Sequence, residues 1–251
     1  MATIAIGDVH GNLRALTDLL ERIAPEVGDT DTVVFLGDYV DRGPDSRGCI
    51  DRILEFRETI RAQVVALLGN HEDWLLRTYH DYSCHSWVLG MRGLDTIRSY
   101  SVEAAIKLHN EIDKLGWAEI VAEHLPLSYE FFFDAMPEEH IEFLTELKSF
   151  HRTPEAACVH GGLDPDGGKI EEQSQENLVW GTREFPERYV GEDTIIYGHA
   201  DNPVLDHKSW PRPRILGRTY GLDTISSGVL TAVRLPDGTI FQSDRYTLDS
   251  S

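Results

Sequence analysis

Three times in its first eighty residues the chain runs from a short apolar segment, through a glycine-led polar turn, into an amphipathic helix. Residues 2–6 lead into Gly7-Asp8-Val9-His10-Gly11-Asn12, after which Leu13, Leu16, Leu19, Leu20 and Ile23 recur at helical spacing. Residues 32–36 lead into Gly37-Asp38-Tyr39-Val40-Asp41-Arg42-Gly43, then Pro44-Asp45-Ser46 and a second helical pattern on Ile50, Ile53, Leu54 and Ile60. Residues 64–68 lead into Gly69-Asn70-His71-Glu72 and a helix predicted over 73–82. Such repetition predicts an α/β fold. In open α/β sheets ligands bind outside the carboxyl ends of the strands, so the three polar turns should converge on one crevice.

The character changes from about residue 80 to residue 150. Helical patterns over 102–115, 117–124 and 137–147, the last with Pro137 near its first position, predict a helical cap inserted into a single domain that spans residues 1–251. Residues 128–133 fit a strand or strap whose three phenylalanines belong to the core. Beyond the cap, residues 156–159 end at His160-Gly161-Gly162 and residues 194–197 at Gly198-His199-Ala200. Segments 219–222 and 229–235 follow, and Pro236-Asp237-Gly238 turns the chain into 239–242. Helical units followed by antiparallel strands predict two mixed sheets, packed together and flanked by helices, with disorder expected at 249–251.

Asp8, His10, Asp38, Asn70, His160 and His199 all stand at predicted strand ends. Carboxylate, imidazole and amide groups without a thiolate suit Mn²⁺, Fe²⁺ or Fe³⁺, or Zn²⁺ rather than a calcium cage or a zinc finger. Six ligand candidates exceed what one tetrahedral ion needs. If one carboxylate bridges, with Asp38 as the candidate, the set divides into two sites sharing it, as in hydrolases whose paired ions lie ~3.5–4 Å apart. Against 43 acidic residues the chain has only 23 basic ones, a net charge of −20 that argues against nucleic-acid and anionic-membrane partners. No apolar run approaches membrane-spanning length, and residues 3–6 leave no room for a leader peptide. Cys49, Cys84 and Cys158 are widely spaced, with no C-x-x-C pair, so a soluble cytoplasmic protein with reduced thiols is expected.

The blocks Gly-Asp-x-His-Gly, Gly-Asp-x-x-Asp-Arg-Gly, Gly-Asn-His-Glu, His-Gly-Gly and Gly-His, in this order, resemble the phosphoprotein phosphatase family of calcineurin-like metallophosphoesterases over residues 5 to about 235. The resemblance implies a four-layer α/β/β/α sandwich and two divalent ions, Mn²⁺ foremost. It assigns Asp8 and His10 to the first ion, Asp38 to the bridge, and Asn70, His160 and His199 to the second. The implied reaction is phosphoester hydrolysis by in-line attack of a hydroxide held between the ions. His71 is then placed to protonate the departing alkoxide, with Asp41 orienting its ring and raising its pKa. Arg42 offers a planar fork for the phosphoryl oxygens, which Asn70 also faces. Arg183 is the candidate for a second clamp, although relatives often place that arginine two positions after the tryptophan and here it lies three after Trp180; Arg212, Arg214 and Arg218 are alternatives.

Other residues draw plainer expectations. Glu72 should hold its turn, and Trp74, Trp87, Trp117 and Trp210 should pack. His80, His85, His109, His124, His140, His151 and His207 should serve the core or the surface, and Asp223 sits in a segment resembling one near the site but takes no assigned role. The Ser-Ala-Pro-Asn-Tyr segment of eukaryotic enzymes is missing, and residues 221–230 resemble the bacterial and phage type. A Ser/Thr protein phosphatase or broad phosphomonoesterase, acting on a phosphorylated protein or a small phosphoester, is the leading expectation. The alternative is a hydrolase of nucleotide substrates, the dinucleoside polyphosphates such as diadenosine tetraphosphate. A catalytically silent phosphoprotein-binding module comes third.

Overall fold

The computed structural model describes residues 1–200 and 210–247, so His207 and residues 249–251 lie outside the described residues. Strands β1 (Thr3–Ile6), β2 (Thr32–Phe35) and β3 (Gln63–Ala66) pair in parallel, with Thr3 opposite Thr32 and Thr32 opposite Gln63. Between and after them run helices α1 (Leu13–Ile23), α2 (Ser46–Thr59) and α3 (Asn70–His80). Local chemistry sets the starts of the first two helices: the Asn12 side chain accepts from the amide of Ala15, and Asp45 accepts from that of Gly48.

Six helices follow: α4 (Ser86–Gly90), α5 (Gly93–Tyr100), α6 (Val102–Leu115), α7 (Trp117–Ala122), α8 (Glu130–Phe133) and α9 (Glu138–Thr145). The rest of the chain supplies β4 (Phe150–Arg152), β5 (Ala157–Val159), α10 (Gln175–Trp180), β6 (Ile195–Tyr197), β7 (Arg214–Leu216), β8 (Thr219–Gly221), β9 (Thr231–Leu235) and β10 (Thr239–Gln242). Two mixed five-stranded sheets result, in the orders β10-β9-β1-β2-β3 and β4-β5-β6-β8-β7.

The two-residue period of the strands explains why these sheets stack. Ala5, Val34 and Val65 of the first sheet, with Leu36 just past β2, pack with Cys158 and Ile196 of the second and Leu222 just past β8. Their neighbours Ile4, Ile6, Val33 and Phe35 point the other way, into a core shared with α1, α2 and the helices of 86–145. On the outer face of the second sheet, Val159, Ile195 and Tyr197 pack against Leu178 of α10. The layers are thus helix, sheet, sheet and helix, as expected.

The differences are local. Residues 128–133 form no strand: α8 turns Phe132 and Phe133 into the core and leaves Phe131 42% exposed. Helix α3 begins at Asn70 rather than at 73, because the Glu72 carboxylate accepts the amide of Gly69 and closes a capping turn. Pro137 caps α9 instead of opening it, and the helix begun at Trp117 ends at Ala122. Cys49, Cys84 and Cys158 are free, and among the described residues no helix is long and apolar enough to cross a membrane.

Candidate metal and catalytic site

The polar turns after β1, β2, β3, β5 and β6 meet, and Asp38 stands where they meet. Its Oδ2 lies 3.3 Å from His10 Nε2 and its Oδ1 lies 3.3 Å from His160 Nε2. Two groups of potential ligands, His10–Asp38–His71 and Asp38–His160–His199, therefore share this one carboxylate. Asn70 Oδ1 is 3.0 Å from both His160 Nε2 and His199 Nδ1. Asp8, 1% exposed, accepts the amide of His199 at 2.9 Å.

The lone pairs face inward. His10 Nδ1 donates to the Val40 carbonyl and His160 Nδ1 to that of Leu36, so each ring presents a bare Nε2. His10 Nε2 is buried with no hydrogen-bond partner among the described residues. Turned with its nitrogen inward, the Asn70 amide donates to His160, His199 and Asp38; with its oxygen inward, only lone pairs converge and a cation is needed to hold them together. Imidazoles anchored through one nitrogen to a carbonyl, with the other free, match the outer support of metal-binding histidines. Burial acts in the same direction, raising Asp8 and Asp38 well above the usual carboxylate range and holding His10, His160 and His199 below the usual imidazole one. Neutral imidazoles beside carboxylates that resist ionising alone suit a divalent ion, which favours both states.

Backbone strain concentrates here. His10, Asp38, Asp41, Arg42 and His199 have φ of 46°, 52°, 69°, 64° and 61°, a left-handed conformation costing such residues of order 1–3 kcal/mol each. The turn after β2 is held by Glu72, whose carboxylate accepts the amides of Asp38, Tyr39, Val40 and Gly69 at 2.8–3.2 Å. The expected turn-holding role of Glu72 is thus visible atom by atom.

His71 Nδ1 lies 2.7 Å from Asp41 Oδ2, the predicted pairing. Its expected basicity is not found. Burial, then Arg42 and His199, bring His71 down to about 3, while burial lifts Asp41 to about 8 against the hydrogen bonds of Thr96 and Trp87. Between those values the pair holds as many protons as an imidazolium–carboxylate pair would, so only the position of the proton differs. Arg42 Nη2 lies 3.2 Å from His71 Nε2, and a guanidinium can only donate. The shared proton is therefore kept on the Asp41 side.

The exposed side chain of Arg183 takes no part in the hydrogen bonds described for this cluster. Three other residues matter more than their sequence context announced. Trp87 Nε1 donates to both Asp41 oxygens, at 3.0 and 3.1 Å, and Thr96 Oγ1 donates at 2.6 Å. Asp223, 1% exposed, raises the pKa of Asp8 through its charge. Trp87 and Thr96 lie 46 and 55 residues from Asp41, beyond any local pattern. His85 and His140 are buried and bonded to Tyr129 and Tyr100, as core histidines should be.

Close packing makes one prediction immediate. A Cβ at Gly198 would lie 2.0 Å from Asp8 Oδ1. Gly198→Ala is therefore expected to destabilise the fold by about 1–3 kcal/mol, an overpacking effect measurable by chemical denaturation; an unchanged midpoint would show that Asp8 yields freely.

A family model described as calcineurin-like phosphoesterase matches residues 1–228. The bis(5'-nucleosyl)-tetraphosphatase PrpE [asymmetrical] of Halalkalibacterium halodurans is 28% identical over 246 residues, 92% of this chain and 89% of that protein. A zinc-dependent endopolyphosphatase of Saccharomyces cerevisiae is 30% identical over 146 residues, 57% of this chain and 41% of that protein. Among solved structures, one provisionally assigned as a diadenosine tetraphosphatase shares the fold, with a TM-score of 0.59 at 20% identity over 96% of this chain and 92% of its own.

Proposed function

Given that the chain belongs to the calcineurin-like phosphoesterase family and is a hydrolase of phosphoester bonds, we propose that it uses two divalent ions to cleave dinucleoside polyphosphates. One observation carries the two-ion part: the two oxygens of Asp38 face different ligand sets. Asp8 and His10 would hold one ion, Asn70, His160 and His199 the other, and Asp38 both. Manganese is the ion we favour for these oxygen and nitrogen donors, which also accept iron and zinc. When bound, the ions supply Lewis-acid activation of water and offset phosphate charge.

The protein's own groups do the rest. Arg42, exposed beside the cluster, would turn its planar fork from His71 to the phosphoryl oxygens. With the guanidinium gone, the neutral imidazole can carry its proton on Nε2 while Nδ1 accepts from the protonated Asp41; Nε2 would give its proton to the departing oxygen as Nδ1 takes the one held by Asp41. Trp87 and Thr96 keep Asp41 aimed at Nδ1 throughout. Arg183, exposed beyond Trp180, is the candidate for a second phosphate contact.

The likeness to PrpE over nearly the whole of both chains supports the nucleotide substrate. A Ser/Thr protein phosphatase stands second, supported by the order of the five blocks. A silent binding module does not fit a phosphoester hydrolase. Free thiols agree with a cytoplasmic setting. Purified protein should bind about two metal equivalents, and its kcat/KM on diadenosine tetraphosphate should exceed that on phosphopeptides under the same metal conditions. The opposite preference would favour the protein phosphatase.

A further inference from the structure

Beside the metal cluster, on the outer side of α3, lies a cavity of about 320 Å³ walled by Trp74, Arg77, His85, Ser86, Leu89 and Val121. A row of rings joins it to the cluster. The Trp180 ring centroid is 6.3 Å from that of His199, and the Trp74 ring stands 4.9 Å beyond Trp180. One carboxylate sets both entrance groups, since Asp73 Oδ2 accepts Trp180 Nε1 at 3.3 Å and pairs with Arg77 Nη2 at 2.9 Å. Asp73 itself is 8% exposed, whereas the Arg77 side chain is 60% exposed and so open to a ligand. Along the helix Trp74 stands about 6 Å from Asn70 and Arg77 about 10 Å. The lining is mostly apolar, with Leu89 44% and Val121 48% exposed. Both nitrogens of His85 are already bonded, to Tyr129 and Leu125, and the hydroxyls of Thr78 and Ser83 donate to Cys84 and Asp81, so Arg77 and Ser86, with His124 also on the wall, can meet a ligand's polar edge.

We propose that this cavity is a nucleoside subsite: a purine base lies against Trp74, and Arg77 meets the ribose or the phosphate next to it, while the scissile phosphate sits at the cluster. Indoles and guanidinium planes hold flat bases without needing their sequence identity, and a mostly apolar pocket with a few polar groups is how small ligands are oriented. In a chain of net charge −20, a cation at the rim is also what an anionic nucleotide needs. The assignment deepens the nucleotide reading of the site and rests on it.

The test compares nucleotides with their base-free counterparts as competitive inhibitors of p-nitrophenyl phosphate hydrolysis by the manganese-loaded full chain. AMP is set against inorganic phosphate and ATP against tripolyphosphate, in wild type, Trp74→Ala and Ser86→Trp. Ser86 is exposed, so the second variant fills the cavity without removing a ring next to the cluster. At least one nucleotide should bind more tightly than its counterpart in wild type, and both variants should lose about 5- to 150-fold of that preference. If neither nucleotide is preferred, or if the preference survives both substitutions, the subsite is wrong. A Trp74-dependent preference for a phosphopeptide over both nucleotides would also overturn it, giving the cavity to a peptide side chain. Turnover of diadenosine tetraphosphate, measured separately, judges the substrate: its absence alongside a Trp74-dependent AMP preference sinks the dinucleotide proposal and leaves the subsite standing.

Discussion

Asp38→Asn is expected to empty both metal positions together, taking bound metal from about two equivalents to below one and phosphatase activity down with it. The substitution leaves the shape but puts an NH₂ group in place of one oxygen, facing either His10 Nε2 or His160 Nε2, each 3.3 Å away. An amide nitrogen cannot be a ligand, and the shared negative charge is gone. Without metal the order of stability should invert. Burial and the nearby Glu72 raise the Asp38 pKa in the fold, so ionising it destabilises the native state as pH rises above the value in the unfolded chain. Metal-stripped Asp38→Asn should therefore resist urea better than metal-stripped wild type at pH 7. Asp41→Asn is the companion measurement: metal should stay while turnover falls. Equal metal loss in both variants would show that the two carboxylates do not divide the work.

His71→Asn should keep its metal and lose rate, on the order of 10²–10⁴-fold, the usual contribution of a positioned acid. The loss should depend on the leaving group. An alkyl phosphate, whose alkoxide needs a proton, should suffer more than p-nitrophenyl phosphate, whose phenolate can depart without one. A uniform loss on both substrates would instead mean that His71 positions and does not protonate. The paired arrangement on Asp41 and the guanidinium at Nε2 are what make this test discriminating, because they hold the proton away from the reacting face until Arg42 moves.

Much of the first sheet was legible in the sequence because each strand is a short apolar run closed by a glycine, and each turn carries groups too polar to be buried without a common purpose. That same logic brought Asp8, His10, Asp38, Asn70, His160 and His199 forward. What escaped was short or distant. Strands β4 (Phe-His-Arg) and β7 (Arg-Ile-Leu) lack the unbroken apolar run that marked the equally short β5 and β6, and the six-residue α10 is too brief for a helical period to emerge. Residues 128–133 are aromatic enough for a strand, yet tertiary packing of Phe132 and Phe133 makes a helical turn of them. The support of Asp41 by Trp87 and Thr96 is purely tertiary, and an indole reads as core filling until its N–H is seen to have a partner. Basicity at His71 was expected from one neighbour, Asp41, whereas burial outweighs that neighbour.

Glu72 has a meaning beyond the chemistry. By gripping four amides, three from the loop after β2 and one from its own turn, it makes two stretches of chain some thirty residues apart into one mechanical part. Anyone recombining this protein with a relative should treat residues 37–43 and 69–72 as inseparable. A chimera that exchanges one stretch alone would need its grip and its amides to match from different parents, whereas one that exchanges both carries the fitted pair intact. Crossover points between them are poor places to cut.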